Sequence, residues 1–469
     1  MESELGRVRA FESAHIREKG VIVHVERMYA ENMSLPRFVE FEQRFADRRV
    51  ADIPSLIREQ LSQSDFPERV PSGSRLAIGV GSRGISNIAT IVKTVVDFWK
   101  ERGVHPFLFP AMGSHGAATA EGQADVLAHY GIHEATMGVP VISALDVLSL
   151  GKTPEGVEAF MDKNAFESDG VFLVGRVKWH TDFAGAIESG LFKMMAIGLG
   201  KFAGARQYHT FAYKLGLEQI IRSVGSKVLA SGKVVGGLAI LEGAHHETAG
   251  LVAVSSAQGA AAMLDKEEEL LRLVKSWMAT LPAPEIDVLI LDQIGKNISG
   301  AGMDTKVINR SVQAEYNPFP NTPRIHRIFI RDLSENTYGN GVGLGMADVV
   351  HDRLLAGIDW TPTYINSLTA STPAAIRTPI HFPSDRQCLE KISPTVGKLD
   401  GESITYCRVR NTLELVHGFV SENLVPTLYP EAQVISAPFE AAFDRNGDFA
   451  DWTKVLEPAG VKPVGAKSH

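Results

Sequence analysis

The residues of this chain best suited to chemistry are histidines and basic side chains placed just after apolar runs. His115 stands in Met112-Gly113-Ser114-His115-Gly116, His180 in Lys178-Trp179-His180-Thr181-Asp182, and Arg83 in Gly81-Ser82-Arg83-Gly84. An imidazole left accessible among small or polar neighbours titrates near neutrality and can take up and return a proton. Taken singly, either histidine is more often a structural hydrogen-bonder than a catalyst. As a pair at equivalent strand ends they point to function. Further on, Ile187, Leu191, Met194 and Met195 form the apolar stripe of a short helix, and Lys193 lies off that stripe, away from the core. Gly198, Gly200 and Gly204 are expected to stop this helix, and His209 to open the next, with Phe211, Leu215, Ile220 and Val224 as its buried face. A solvated lysine and a histidine at a helix start account for Lys193 and His209 on the residue pattern alone.

The first loop also spells Gly79-Val80-Gly81-Ser82-Arg83-Gly84, a G-x-G-x-x-G between a strand and a helix, which would suit a dinucleotide. A ribose-binding acid at the end of the second strand is missing from Pro110-Ala111-Met112. The weaker inference is that glycine amides, Ser82 and Arg83 hold a phosphate at a helix N-terminus. A tight turn with a solvent-facing arginine is the alternative. His245-His246-Glu247, the one local cluster of histidine and acid, reads as an ordinary loop.

These residues need a scaffold that brings strand ends together. From Arg75 on, short apolar runs alternate with glycine turns and helical segments, the signature of βαβ units and a parallel sheet. Strands are predicted at Leu76–Val80, Pro106–Pro110, Val171–Val174 and Val234–Leu241, with helices at Ile85–Lys100 and Thr119–His129. Ligands of such sheets bind beyond the carboxyl ends of the strands. A charged helix at Asp265–Met278 runs into Leu281-Pro282-Ala283-Pro284, whose proline pair should end it and act as a hinge. A second α/β unit then begins at Ile286–Leu291, with strands at Arg327–Ile330 and Val434–Ala437 and a helix at Met346–Leu355 between them. The first seventy residues or so are charged and mixed, and read as peripheral helices with an edge strand around Val21–Val25. The tail from Pro458 reads as loose.

At 469 residues the chain exceeds one hydrophobic core, and roughly 150 residues per domain favours two, 1–280 and 285–469. Lys plus Arg is 47 and Asp plus Glu 55, a net charge of −8, which argues against sequence-independent nucleic-acid binding. Cys388 and Cys407 match no metal motif and cannot form a disulfide framework. With Glu2, Glu4, Arg7 and Arg9 in its first residues and no membrane-length apolar run, the expectation is a cytoplasmic protein with no membrane partner.

From about Arg75 through His209, and more loosely beyond, the chain resembles the nickel-dependent lactate racemase family. The order His115, His180, Lys193, His209 carries the likeness. In that family a G-x-H loop and a later strand-end histidine are the acid/base residues, roles that fall here on His115 and His180. A lysine after a Ser-Gly turn tethers a nickel-pincer nucleotide, a pyridinium mononucleotide holding nickel, through a thioamide link; Lys193 in Ser189-Gly190-Leu191-Phe192-Lys193 matches it. A histidine one helix-loop later binds the nickel, and His209 matches. The resemblance also assigns Gly81, Ser82 and Arg83 to the cofactor phosphate, and Gln293 and Lys296 to a second domain that closes over the cofactor.

There are departures. The family's first loop reads D-x-T-R-P where this one reads Val80-Gly81-Ser82-Arg83-Gly84, and Trp179, Asp182 and Glu188 are additions that could line a different pocket. The resemblance implies two α/β domains, the N-terminal one with a mainly parallel sheet, and an active site in the cleft between them. It implies an isomerase, a racemase or epimerase of a 2-hydroxy acid, dependent on separate cofactor-maturation enzymes, while the departures argue against lactate as the substrate. Removing the α-proton beside a carboxylate gives a poorly stabilised carbanion, whereas removing hydride gives a planar keto acid. Each enantiomer then needs its own imidazole as base, which two histidines supply. Lys296, Arg83 or Lys178 would neutralise the substrate carboxylate. The rivals are an NAD-dependent dehydrogenase using Gly79–Gly84, a non-catalytic protein that binds the pincer nucleotide, and a zinc hydrolase, which lacks a compact ligand motif.

Overall fold

A computed structural model describes residues 34–450 apart from 82, 83, 182 and 399, together with a short ribbon made by β1 (Arg17–Glu18) and β2 (Val21–Ile22). The expected loose tail from Pro458, most of the first 33 residues, and Ser82, Arg83 and Asp182 lie outside the described residues.

The remaining strands in chain order are β3 (Phe38–Gln43), β4 (Arg75–Val80), β5 (His105–Pro110), β6 (Val147–Lys152), β7 (Glu158–Asp162), β8 (Gly170–Arg176), β9 (Val234–Glu242), β10 (Thr248–Ser255), β11 (Glu285–Ile294), β12 (Arg324–Leu333), β13 (Val349–His351), β14 (Ile380–Phe382), β15 (Tyr406–Val409), β16 (His417–Ser421) and β17 (Ala432–Val434). They form a five-stranded sheet ordered β10-β9-β8-β4-β5, an eight-stranded sheet ordered β14-β13-β12-β11-β15-β16-β3-β17, and a separate β6-β7 pair. The chain is thus an α/β protein with two large sheets.

In the first sheet β9, β8, β4 and β5 are parallel and β10 is antiparallel. Continuous apolar runs make β4, β5, β8 and β9 central, because helices cover both faces and each residue must be buried. The helix Ile88–Lys100 buries Ile91, Val92, Val95 and Trp99 on one side; Leu217–Leu229 and Gly259–Lys275 cover the other. In the second sheet β14, β13, β12, β11 and β15 are parallel, and β16, β3 and β17 continue antiparallel.

Both sheets have a switch point, where successive connections run to opposite sides of the first parallel strand. In the first it lies between β4 and β8, in the second between β11 and β15. Loops diverge there and leave a crevice.

Several expectations are corrected. Sheet membership does not follow the division at 280, because β3 pairs with β16 in the second sheet. The proline segment is no free hinge: Leu281 and Ala283 are buried, and the carbonyls of Thr280, Pro282 and Pro284 accept hydrogen bonds from Gln43, Tyr429 and Arg324. The helix expected at Met346–Leu355 is split into a 3-10 turn at Leu344–Met346, strand β13 and a helix at Asp352–Ala356. His209 does not open a helix. It lies within the helix Lys201–Leu215, which runs through Gly204, and Gly216 separates Phe211 and Leu215 from Ile220 and Val224 on the next helix.

Candidate active site

The loop after β8 enters the crevice of the first sheet. Its Trp179 is buried in the core of the second sheet, and its indole N–H donates to Asp304 Oδ2 at 2.8 Å. His180 follows, 9 % exposed, with its ring 4.7 Å from that of Phe183. The His180 backbone N–H donates to Glu188, a fully buried carboxylate that also accepts from Gly185 N at 3.2 Å and faces Lys275 Nζ at 2.5 Å. Burial, then the nearby charges of Lys193, Lys306 and His209, hold the His180 imidazole well below the usual histidine range. His180 is therefore neutral at physiological pH. Lys193, Lys306 and His209 are the charged groups whose fields reach it.

Lys193 ends the short helix Leu191–Lys193, which continues as a π-helix over Met194–Gly198. Glu267, buried on the helix Gly259–Lys275, accepts the Phe192 N–H at 3.1 Å and satisfies a donor that the helix start would leave unpaired. Lys193 is half-buried and faces off the apolar stripe, on the side where His180 senses it.

The His115 loop is tied to this segment by packing. A Cβ at Gly113 would lie 2.8 Å from Ile197 and 3.0 Å from Ala205, so only glycine lets the loop rest on the elements that carry Lys193 and His209. Gly116 has φ +61°, and a Cβ there would meet the Gly122 backbone at 2.3 Å. Gln123, fully buried, donates to the carbonyls of Met112 at 3.2 Å and Gly113 at 3.0 Å. Its own carbonyl accepts from the buried Lys201 Nζ at 3.2 Å, and Lys201 also reaches the Pro110 carbonyl at 2.7 Å and Asp162 at 3.4 Å. Burial lowers the proton affinity of Lys201 and raises that of Asp162. Lys201 begins the His209 helix, so one buried amine fixes both the β5 loop and that helix.

Of the proposed phosphate residues only Gly81 is described, with its N–H on the Val174 carbonyl at 3.2 Å. Arg176, which the sequence reading passed over, is the cation placed at that loop: its Nη1 donates to the Gly84 carbonyl at 2.6 Å and to Glu242 at 2.5 Å. Lys178 stands 3.8 Å from Asp304, and burial lowers its proton affinity. Gln293, at the end of β11, is half-buried, with its N–H on the Arg410 carbonyl at 2.8 Å. Lys296 donates to the Gly300 carbonyl at 2.5 Å, and a Cβ on Gly300 would lie 4.0 Å from Thr181 Oγ1, so this loop borders the His180 loop. The sequence reading missed Asp304, Thr305 and Lys306; the glycine-spaced stretch Gly300-Ala301-Gly302 ahead of them, straight after a buried strand, is the signal that would have found them.

His245-His246-Glu247 forms a turn in which Glu247 accepts the backbone N–H of His245 and of Arg48. Among the described residues, one group of three ligand-type side chains converges closely enough for a metal, His351, Asp385 and Asp448. Its carboxylates are already engaged: Arg353 reaches Asp448 at 2.8 Å and Asp385 at 3.0 Å, and Arg331 reaches Asp385 at 2.7 Å. A cation there would have to displace arginines.

The donor set beside His180 fits the group that the resemblance implies. Lys193 supplies a primary amine for a covalent link, and His209 an imidazole of the kind nickel accepts.

These features define an α/β protein with two large sheets whose β8 and β11 loops meet beyond the strand ends. No family model matches the chain, and no curated protein matches it. Among solved structures it is similar to the lactate racemase apoprotein from Thermoanaerobacterium thermosaccharolyticum, at 12% sequence identity and a TM-score of 0.47, covering 79% of this chain and 99% of that one. A likeness at that level carries no argument about activity.

Proposed function

We propose that this protein is a racemase or epimerase of a 2-hydroxy acid that works with a nickel-pincer nucleotide. What supports the reading is that His180 stands, buried, in the loop after β8 at the switch point of the first sheet, with Lys193, Lys306 and His209 as the nearby charges that join burial in lowering its proton affinity. Lys193 would hold the nucleotide covalently, and His209 would bind its metal. When bound, that group supplies a reversible acceptor for the hydrogen on C2 of the acid.

The chain's own residues do the rest. Neutral His180 accepts the proton of the C2 hydroxyl and returns it. His115, in the loop after β5, one strand beyond β4, would do the same for the opposite enantiomer. Phe183 packs against the His180 ring, and burial keeps its proton affinity low. Lys178, Lys296 and Arg176 are the cations near the strand ends from which the substrate carboxylate and the nucleotide phosphate would draw their partners. The protein would act in the cytoplasm, receiving its cofactor from maturation enzymes. No helix among the described residues is long and apolar enough to cross a membrane.

The test is to produce the full chain together with the cofactor-making enzymes, measure intact mass and nickel content, and incubate it with single enantiomers of lactate, 2-hydroxybutyrate, malate and mandelate. Loss of optical purity with any of them, together with a mass increase localised to Lys193, is the expected result. Reduced nicotinamide formed from added NAD would favour a dehydrogenase, and bound nucleotide without turnover a non-catalytic binder.

A further inference from the structure

Four residues of the β8 loop, Trp179, His180, Thr181 and Phe183, meet three consecutive residues of the β11 loop. Trp179 Nε1 donates to Asp304 Oδ2 at 2.8 Å, Thr305 Oγ1 donates to the Thr181 carbonyl at 2.7 Å, and Lys306 Nζ donates to the carbonyls of His180 and Phe183, each at 2.7 Å. Lys306 is 4 % exposed; its ammonium lies 4.1 Å from the centre of the Phe319 ring and 4.0 Å from Glu188 Oε2. The peptide groups around His180 are thus gripped from two directions. Glu188 of the first sheet takes the N–H, and Lys306 of the second takes the carbonyl.

We infer that Lys306 is a positioning residue, which fixes the His180 imidazole only when the β11 loop is seated on the β8 loop; the inference rests on the reading of His180 as acid/base. A buried ammonium is costly to desolvate, and here it donates to two backbone carbonyls of one loop. That arrangement has a geometric use. Two carbonyls fixed from one point set the direction in which the residues between them project, so the ring of His180 inherits its orientation from Lys306. Separating the sheets withdraws Asp304, Thr305 and Lys306 together, and the base then loses its aim. A ligand seated between the sheets therefore meets an oriented base only in the closed arrangement.

The experiment compares Lys306→Met with Lys306→Arg in the full chain made with the cofactor-making enzymes. Amide hydrogen exchange is read by mass spectrometry over peptides spanning 178–190. Lys306→Met should raise exchange there by about tenfold or more while β4, β5 and the second sheet keep their protection, and Lys306→Arg should restore most of it. With whichever acid of the panel is turned over, kcat for Lys306→Met should fall by about 10- to 100-fold with KM nearly unchanged. Exchange over 178–190 that stays at the wild-type level, a loss carried by KM alone, or a Lys306→Arg variant as impaired as Lys306→Met would overturn the inference. If Lys306→Met does not fold, Thr305→Val, which removes the donor to the Thr181 carbonyl, carries the same exchange test. Exchange is measured whether or not any acid is turned over, so an inactive wild type would sink the racemase reading while the exchange result still decides the role of Lys306.

Discussion

Two regions of this molecule bury charge, and they do so in opposite ways. In the second sheet an alternating chain runs Arg408, Asp292, Arg331, Asp385, Arg353, Asp448, His351, with neighbours 2.7 to 3.0 Å apart. Burial alone would lower the proton affinity of Arg331, but Asp292 and Asp385 carry it above its ordinary value. At the strand ends of the first sheet burial dominates instead: it holds the His180 imidazole well below the usual histidine range, and the charges of Lys193, Lys306 and His209 add to the effect. A matched network satisfies itself and asks for no ligand. Around His180 the Glu188 carboxylate, 2.5 Å from Lys275 Nζ and 4.0 Å from Lys306 Nζ, shares the space with amines, and an imidazole whose proton affinity is held low there can take up a proton and give it back. The closed network of arginines and carboxylates explains why the metal-like geometry of His351, Asp385 and Asp448 is structural.

Substitutions in the two regions should differ in kind. The largest effect is expected from Lys193→Ala, which should abolish both the mass increase at that residue and all turnover while Tm stays close to wild type; a variant that keeps the bound nucleotide would remove Lys193 from its role. His115→Ala and His180→Ala should each lower kcat by about 10²- to 10⁴-fold, with nickel retained in the purified protein. Loss of nickel in either variant would turn that histidine from a base into part of the metal site.

On the scaffold side, Arg331→Met leaves Asp292 and Asp385 each short of a partner and should cost about 3–5 kcal/mol of stability, measured by denaturant unfolding. Turnover per folded molecule should not change; a selective loss of activity would blur the distinction between the regions. Glu267, beneath the Lys193 helix, sharpens it further. Burial pushes its carboxyl up to about 7, against the opposing pull of the Phe192 and Leu191 N–H groups and Arg222, and among the described residues its Oε1 has no hydrogen-bond partner. A folded pKa above the unfolded value means that stability is highest below about 4.5, falls as pH rises to about 7, and stays at the lower level beyond, a swing on the order of 3 kcal/mol. Glu267→Gln keeps an acceptor for Phe192 and should flatten that slope in Tm measured from pH 4 to 8. Parallel curves for variant and wild type would show that another group is responsible.

Much of the first sheet was legible in the residues. Leu76–Val80, Pro106–Pro110 and Val171–Val174 are continuous apolar runs, and such runs have few places to go except the middle of a covered parallel sheet. β3 and β10 escaped the sequence reading because their residues are mixed. Thr248–Ser255 is an edge strand with one wet side, and Phe38–Gln43 earns its place only by pairing with His417–Ser421, far along the chain. His209 was misplaced for a related reason: Gly200 and Gly204 look like helix stops, yet Tyr208 packs where their side chains would be, and the helix continues.

The amino-acid sequence by itself determined the α/β class, the strand ends that deliver His115 and His180, and the order of histidines and lysine that suggested a shared site. Those properties are local, set by apolar periodicity and turn residues over a few neighbours. Only the tertiary structure decided that His180 is buried, that Lys201 fixes the β5 loop and the His209 helix at once, and that Asp304, Thr305 and Lys306 hold the His180 loop from the other sheet. Each of these depends on residues distant in sequence and adjacent in space. Their energies come from burial and from charges at close range, which do not exist until the two sheets have packed.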